Sequence, residues 1–126
     1  MNPLFSSGRS FVLYSYAISH GLLLLRSRKS ENIPTRLDVL FQDVRALEIR
    51  SWFDGIVVRE DVDPDFLIDR TSKPLEMVEP GIKLYRLDGV GWSGFVVGGL
   101  MQTHEDNGDF KDASKLIQGI PLNLTG

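Results

Sequence analysis

The sequence predicts a mainly β protein, a single domain of antiparallel hairpins with one or two short helices. Its length of 126 residues fits one domain, so we expect one β-rich domain over residues 1–126. Apolar and polar residues alternate over several short stretches, which is typical of half-buried strands. Glycine-containing dipeptides that favour tight turns separate these stretches. The hairpins are expected to form a bent sheet, a small barrel or a two-layer sandwich. A partly open barrel with a lidding helix and an α+β layer are the alternatives.

The first expected hairpin turns at His20-Gly21. Glycine adopts positive φ freely and histidine tolerates it, so these two residues suit a tight turn. The resulting register pairs Tyr16 with Leu25 and directs the tyrosine face of the first strand to the core. Residues 22–28 are leucine-rich and also fit a helix, because periodicity alone does not separate a short buried strand from a buried helical segment.

A third strand is expected over residues 36–41, where Leu37 and Val39 alternate with less apolar neighbours. The preceding residues 30–35 contain a proline and are expected to form a loop. Gln42-Asp43 then breaks the alternation, which indicates a bulge or a tight bend before the next strand.

The strongest local signal is Asp54-Gly55, which lies between two apolar-alternating runs and predicts a two-residue hairpin turn. Such a turn places Trp52 on the outer face of the hairpin. It also places Arg50 directly opposite Arg59, a like-charge pair that destabilises a sheet unless an acidic group compensates.

The second half of the chain begins with residues 61–81, which are rich in Asp and Pro and predict a loop with a short helix over residues 64–70. Residues 82–87 and 92–103 predict another hairpin, whose second strand contains glycines that favour bulges or curvature. Residues 112–118 predict one or two helical turns. With these strand registers, we expect the side chains of the following residues to face the core: Val12, Tyr14, Tyr16, Ile18, Leu23, Leu25, Leu37, Val39, Phe41, Leu47, Ile49, Phe53, Ile56, Val58, Leu84, Phe95 and Val97.

The composition of the chain limits its expected location and its expected partners. The chain has no cysteine, which favours a reducing compartment, and we expect a cytoplasmic protein. The uncharged stretch 10–25 contains a turn signal and is short of the roughly 20 apolar residues that a membrane-spanning helix needs. A net charge of −3 and the lack of a recognition motif argue against nucleic acid as a partner.

Motifs for catalysis or metal binding are weak. Residues 89–94 match the spacing of a dinucleotide-binding fingerprint, but the residues that follow are a poor start for a helix. The alternate aspartates of residues 61–65 lack the glycine and the final glutamate of a calcium loop. His20 and His104 do not have a metal-binding spacing. We therefore assign no catalytic residue, no metal site and no cofactor.

The sharpest functional candidate is the outer face with Arg50, Trp52 and Arg59, joined by Arg26 and Arg28 if the outer faces of the two hairpins are continuous. Arginine and tryptophan are enriched in the residues that dominate binding energy at interfaces. The sequence therefore predicts a non-catalytic interaction module that binds a protein partner or a second copy of itself as a homodimer. In a competing interpretation, the expected helix over residues 64–70 covers Trp52.

A second functional hypothesis is a barrel-type protein that binds a small ligand, or an enzyme, with an apolar cavity. The mouth of this cavity would be shaped by the glycine-rich residues 92–99 and by the acidic loop over residues 61–81. It requires an interior space of a few hundred cubic ångströms, of the order that small-molecule sites show.

Overall fold

The computed structural model describes residues 3–60 and 78–118. In this part the chain is mainly β, as predicted, with eight strands, one 3₁₀ turn and one short α-helix. The predicted helix over residues 64–70 and the aspartates of residues 61–65 lie outside the described residues. The elements are β1 (Phe5–Ala17), the 3₁₀ turn (Ile18–His20), β2 (Leu22–Ser27), β3 (Arg36–Phe41), β4 (Ala46–Glu48), β5 (Trp52–Glu60), β6 (Lys83–Gly89), β7 (Trp92–Gly98), β8 (Met101–Asp106) and α1 (Lys115–Gln118).

The eight strands form one antiparallel sheet in the order β4-β7-β6-β5-β1-β2-β3-β8. β3 pairs with β8 and β4 pairs with β7, although β4 follows β3 and β8 follows β7 along the chain. Backbone hydrogen bonds bridge the two ladders: the Gln42 N–H donates to Leu100 O (2.9 Å), and the Gly99 N–H donates to Gln42 O (2.7 Å). The segment that joins β3 to β4 therefore pairs with the segment that joins β7 to β8, so the sheet is strongly bent.

The main core lies inside this bend. Phe11 and Phe53 are paired across β1 and β5 and stack with their ring centroids 6.0 Å apart. Phe41 contacts Tyr85 edge to face at 5.3 Å. The residues that are buried as predicted are Leu23, Leu25, Leu37, Val39, Phe41, Phe53, Ile56, Val58, Leu84, Phe95 and Val97, while Leu47 and Ile49 are partly buried against the main cluster.

The first hairpin is confirmed, but its predicted register is wrong. The connection takes four residues, so Ala17 pairs with Leu22 and Tyr16 pairs with Leu23. An irregularity between Leu13 and Ser15 then shifts the pairing again. The change at the turn is one of two residues and keeps the faces, whereas the irregularity is a shift of one residue and exchanges the faces of the β1 residues that precede it. Tyr16 still pairs with the core residue Leu23, but it lies near the end of β1. Tyr16 and Ile18 are exposed, Val12 and Tyr14 are only partly buried, and Phe11 is buried instead.

The predicted hairpin turn at Asp54-Gly55 is wrong. Both residues lie within β5, which pairs with β1 on one side and with β6 on the other. Gly55 has a φ of +70°, and the β1–β5 register shifts beside it, between Ser7 and Ser10. Two β1 residues, Gly8 and Arg9, therefore lie opposite Gly55 alone, so the bulge is in β1 and Gly55 is the residue of β5 that faces it. Glycine at position 55 supplies the positive φ that the sequence pattern had assigned to a hairpin turn.

The predicted like-charge pair involves a different partner. Arg59 lies opposite Arg86 of β6, not opposite Arg50. Asp88 supplies the compensating acid, with Oδ2 at 3.6 Å from Arg59 Nη1 and 3.0 Å from Arg86 Nε. The physical requirement for an acidic neighbour is met, although the predicted strand pairing is wrong.

β2 and β3 are buried on both faces, which explains the run of four leucines at the start of β2. The inner side contributes Leu23 and Leu25 to the main core. On the outer side, Leu24 belongs to a separate apolar cluster against which Leu116 and Ile117 of α1 pack. The helical alternative for residues 22–28 is therefore wrong, and the continuous apolar pattern reflects cover on both sides.

The last three strands confirm the expected hairpin and the break caused by its glycines. β6 and β7 pair up to Gly89 opposite Trp92, and Gly91 in the turn has a φ of +76°. The second strand divides after Gly98, where β7 ends and β8 follows. α1 lies within the expected helical stretch 112–118. No helix in the described part of the chain is long and apolar enough to cross a membrane.

Candidate interaction surface

Trp52 is the first residue of β5, and its side chain lies on the outer face of the sheet. Its neighbour Phe53 points into the core and is 1 % exposed, whereas Trp52 is 59 % exposed. This difference follows from the alternation of side chains along a strand. The helix over residues 64–70 that the competing interpretation places over Trp52 lies outside the described residues, so that interpretation stays a prediction.

Trp52 lies in a surface groove of about 270 Å³, which we call the Trp52 groove. Val12 of β1 pairs with Trp52 on one side and with Arg26 on the other, so the three side chains form a row across β5, β1 and β2. Phe110, from the segment after β8, closes the opposite side. The groove is lined by Ser10, Val12, Arg26, Arg28, Trp52 and Phe110.

Arg26 is not a surface charge, because its side chain is buried. Its guanidinium makes a bidentate contact with Asp38, donating from Nε to Oδ1 (2.7 Å) and from Nη2 to Oδ2 (3.1 Å). Nη1 donates to the carbonyl oxygens of Phe110 (2.6 Å) and Asp112 (2.9 Å). The guanidinium also stacks over the Tyr14 ring at 4.2 Å. Arg26 therefore forms part of the groove's base, and the carboxylate of Asp38 balances its positive charge.

Arg28 is the exposed cation of the Trp52 groove. Its guanidinium carbon lies 4.6 Å from the centroid of the Phe110 ring, a cation–π contact. Within residues 3–60 and 78–118, no carboxylate forms an ion pair with it. At the Ser10 side of the groove, the exposed carboxylate of Asp54 accepts a short hydrogen bond from the Ser10 hydroxyl.

Arg50 and Arg59 do not join this groove. Arg50 lines a second groove of about 420 Å³ that includes Trp92, and the residues lining the two grooves are different. Arg59 lies near the opposite end of β5 from Trp52 and pairs with Asp88. Of the five residues predicted as one contact surface, the structure brings together Arg26, Arg28 and Trp52, and Arg26 is buried.

The sequence interpretation missed Phe110 as a wall of the site. Phe110 follows β8 in a strongly polar stretch, where residues 105–115 contain acids, lysines and a glycine around one aromatic side chain. An isolated aromatic residue in such a stretch is the available signal, since it has no apolar neighbour to share a buried face. Its partner across the groove, Trp52, is 58 positions earlier, so local patterns do not connect the two.

A polar groove of about 960 Å³ lies beside the end of β8 and includes Arg36, Glu105 and Asp106. Arg36 donates to Asp106 from Nε (3.1 Å) and Nη2 (3.0 Å), and this hydrogen bonding lowers the pKa of the Asp106 carboxyl. A hydrogen bond from the Thr35 hydroxyl lowers the pKa of Glu105 in the same way. These charges are satisfied inside the fold, so we assign no ligand to this groove.

The two histidines lie apart from the Trp52 groove. His20 ends the 3₁₀ turn, as expected, and His104 of β8 has Nε2 at 3.4 Å from Asp106 Oδ2. In the described ranges, no three His, Asp or Glu side chains are grouped so that they could hold a metal ion.

The hypothesis of an apolar ligand cavity stays a prediction, because its acidic loop lies outside the described residues. The strand that would shape its mouth is packed on both faces. Val96 belongs to the main core cluster, and Phe95 and Val97 pack with Leu84. Comparisons of the chain with models of protein families, with curated proteins and with solved structures found no match.

Proposed function

We propose that the protein is a non-catalytic interaction module whose Trp52 groove binds an apolar side chain next to a carboxylate on a partner protein. The observation that carries this proposal is the exposure of the Trp52 indole, 59 % of its surface, between Phe110 and the exposed cation Arg28. Trp and Arg are the residues most enriched where interfaces concentrate their binding energy.

The chemistry of the groove indicates the partner's composition. Two aromatic side chains, Trp52 and Phe110, offer apolar surface to an inserted side chain. The guanidinium of Arg28 can donate two parallel hydrogen bonds to a carboxylate. Because it already stacks on Phe110, the Arg28 side chain loses less conformational entropy when a partner binds. The partner's carboxylate is expected at the Arg28 side, because Asp54 places a negative charge at the Ser10 side.

The size of the groove favours one inserted side chain over a complete small molecule. Its volume of about 270 Å³ is close to the lower limit of the roughly 300–1,000 Å³ that is typical of small-molecule sites, and it has room for one side chain. A macromolecular partner gains the rest of its contact area on the surface around the groove. A groove of this size therefore supports a protein partner that inserts one side chain.

The positive charge of Arg28 argues against self-association through the Trp52 groove. A two-fold symmetric dimer brings the same patch of both copies together. The exposed guanidinium of Arg28 would then approach that of its own copy, and like charges at close range disfavour association. We therefore propose a partner with an acidic segment as the occupant.

Peptide display tests the proposal directly, because the selection itself identifies which peptides the groove binds. The wild-type protein is the bait, and the Trp52→Ala protein removes peptides that bind elsewhere. We expect enriched peptides to contain an apolar residue beside Asp or Glu, and to bind the Leu100→Ala protein as well as wild type. Leu100 is a matched control because it is an apolar residue that is 58 % exposed and does not line the Trp52 groove. Enrichment of basic peptides, or of peptides that bind Trp52→Ala equally well, would contradict the proposal.

A further inference from the structure

Two buried arginines hold the segment after β8 against the outer face of the sheet. We call residues 107–113 the strap. Arg26 of β2 donates to the carbonyl oxygens of Phe110 (2.6 Å) and Asp112 (2.9 Å). Arg36 of β3 donates to the carbonyl oxygens of Asp109 (2.9 Å), Asp112 (2.9 Å) and Ala113 (3.4 Å). Both arginines therefore bind the strap through its backbone.

Each arginine also has its own carboxylate on the sheet. Arg26 pairs with Asp38, and Arg36 pairs with Asp106, and both guanidinium groups are buried. Removing ion pairs from water is unfavourable unless the remaining donors find acceptors. The strap carbonyl groups supply those acceptors, so burial of the two arginines and docking of the strap stabilise each other.

Docking of the strap also fixes the wall of the Trp52 groove. The Phe110 ring packs edge to face on Tyr14, with the ring centroids 5.1 Å apart, and lies under the guanidinium of Arg28. Its carbonyl oxygen is held by Arg26, which itself lines the groove. One side chain therefore forms part of the base and holds the residue that forms the opposite wall.

We infer that Arg26 is a positioning residue for partner binding, and that the Trp52 groove is complete only while the strap is docked. This inference rests on the proposed function of the groove. It means that any change that releases the strap weakens binding even where Trp52 and Arg28 are unchanged.

Gly108 offers a way to release the strap from its other anchor. A Cβ atom at this position would lie 2.6 Å from Cζ and Nη2 of Arg36. The guanidinium cannot move aside without losing its hydrogen bonds to Asp106 and to the strap. Gly108→Ala is therefore expected to loosen the strap. Gly8→Ala is the matched control, since a Cβ there has no atom of the described residues within 4 Å.

The experiment uses the full chain with Arg26→Lys, Gly108→Ala and Gly8→Ala, each in a Trp92→Phe background so that Trp52 is the only tryptophan. Arg26→Lys keeps a positive charge opposite Asp38 but loses the fork that reaches the strap. Three quantities are measured: hydrogen exchange of the strap amides, acrylamide quenching of Trp52 fluorescence, and affinity for a fluorescein-labelled peptide from the display selection.

We expect Arg26→Lys and Gly108→Ala to speed strap exchange, to increase quenching of Trp52 and to weaken peptide binding by about tenfold, a change of roughly 1.4 kcal/mol. Exchange of the core strands and all properties of Gly8→Ala should match the parent protein. Faster strap exchange with unchanged quenching and affinity would overturn the inference alone. If the Trp52→Ala protein binds the peptide like wild type, the proposed function fails, while exchange and quenching still decide whether the strap shapes the groove.

Discussion

Trp52 and Phe53 are neighbours with opposite environments, and this contrast gives a test of the assigned faces of β5. Trp52→Ala should lower the free energy of unfolding by less than about 1 kcal/mol, because the indole is mostly exposed. Phe53→Ala should lower it by about 3–5 kcal/mol, because it leaves a cavity in the core. Urea denaturation of both variants measures the difference. A large loss for Trp52→Ala would show that the indole is part of the core.

Gly94 is a position where a side chain has no room. A Cβ atom there would lie 2.1 Å from the carbonyl oxygen of Glu48, and the backbones of β4 and β7 are fixed by their pairing. Gly94→Ala should therefore lower the free energy of unfolding by about 1–3 kcal/mol. Gly8→Ala, in an exposed part of β1, serves as the control and should be close to neutral. Equal stability of the two variants would contradict the close approach of β4 to β7.

Individual residues of the site differ in how far the sequence predicts them. Trp52 and Arg28 stand out by residue type, since exposed aromatic and arginine side chains are enriched at interfaces. The burial of Arg26 could not be predicted, because two of its hydrogen-bond acceptors lie 84 and 86 positions later in the chain. Pairing over such a distance depends on where the strap crosses the sheet, and no local pattern encodes that crossing.

At the scale of elements, Asp54-Gly55 shows that a local preference for positive φ is compatible both with a hairpin turn and with a position inside a strand. The dipeptide supplies a residue with positive φ, which a hairpin turn needs and which β5 uses opposite the bulge in β1. Which of the two forms depends on the partner strand, and β1, about 50 residues earlier, is a better partner for β5 than the segment that precedes β5. Strand positions such as β3 were predictable, whereas the pairing of β5 was not.

Gly55 tests the backbone conformation of β5 opposite the bulge in β1. Its φ of +70° strains any residue with a side chain, while a Cβ there would meet Val90 at an ordinary 3.7 Å. Gly55→Ala should therefore lower the free energy of unfolding by about 1–2 kcal/mol through backbone strain alone. Gly55→Asn should lose less, because asparagine tolerates this conformation better than alanine. Chemical denaturation of both variants compares them, and an alanine variant as stable as wild type would contradict the positive φ.

β1 illustrates a second limit of local patterns. Its alternation is clear, but the irregularity between Leu13 and Ser15 shifts the pairing by one residue. A shift of one residue exchanges the two faces of a strand. The alternation therefore predicts Tyr14 in the core, although Phe11 occupies it. Tyr16 keeps its pairing with the core face but is exposed near the end of β1.

For the whole molecule, the mainly β class and the bent antiparallel sheet were predictable, because alternation and turn residues recur along the chain. The strand order was not predictable. Its outermost strands are β4 and β8, and their places depend on contacts between the bend at residues 42–45 and the bend at residues 98–100. Cover of β2 and β3 on both faces also depends on the strap and α1. The candidate site combines these unpredicted features with the predicted Trp52 and Arg28.

The stability of the whole molecule should depend on pH in the acidic range. Hydrogen bonds from Arg36, Thr35 and Lys29 lower the pKa values of Asp106, Glu105 and Asp109 respectively. The unfolded chain then binds protons at higher pH than the folded chain, so acid favours unfolding. Stability should be constant down to about pH 5 and should fall below about pH 4, as these carboxyls are protonated.

Asp106→Asn tests this dependence. The variant should be less stable than wild type near pH 7, because the buried guanidinium of Arg36 loses its carboxylate. It should also lose less stability between about pH 5 and about pH 3, because one carboxyl with a lowered pKa has been removed. Urea midpoints across this range measure both effects. An acid dependence as steep as that of wild type would contradict the assigned role of Asp106.

The most direct test of the Trp52 groove is a charge exchange between Arg28 and a bound peptide, measured by titration calorimetry. The peptide is one selected by display, in its original form and with its acidic residue replaced by lysine. We predict that Arg28→Glu weakens binding of the original peptide by about tenfold or more, and that the lysine peptide recovers most of this loss. Affinities of the two peptides that do not change with the charge at position 28 would contradict the account.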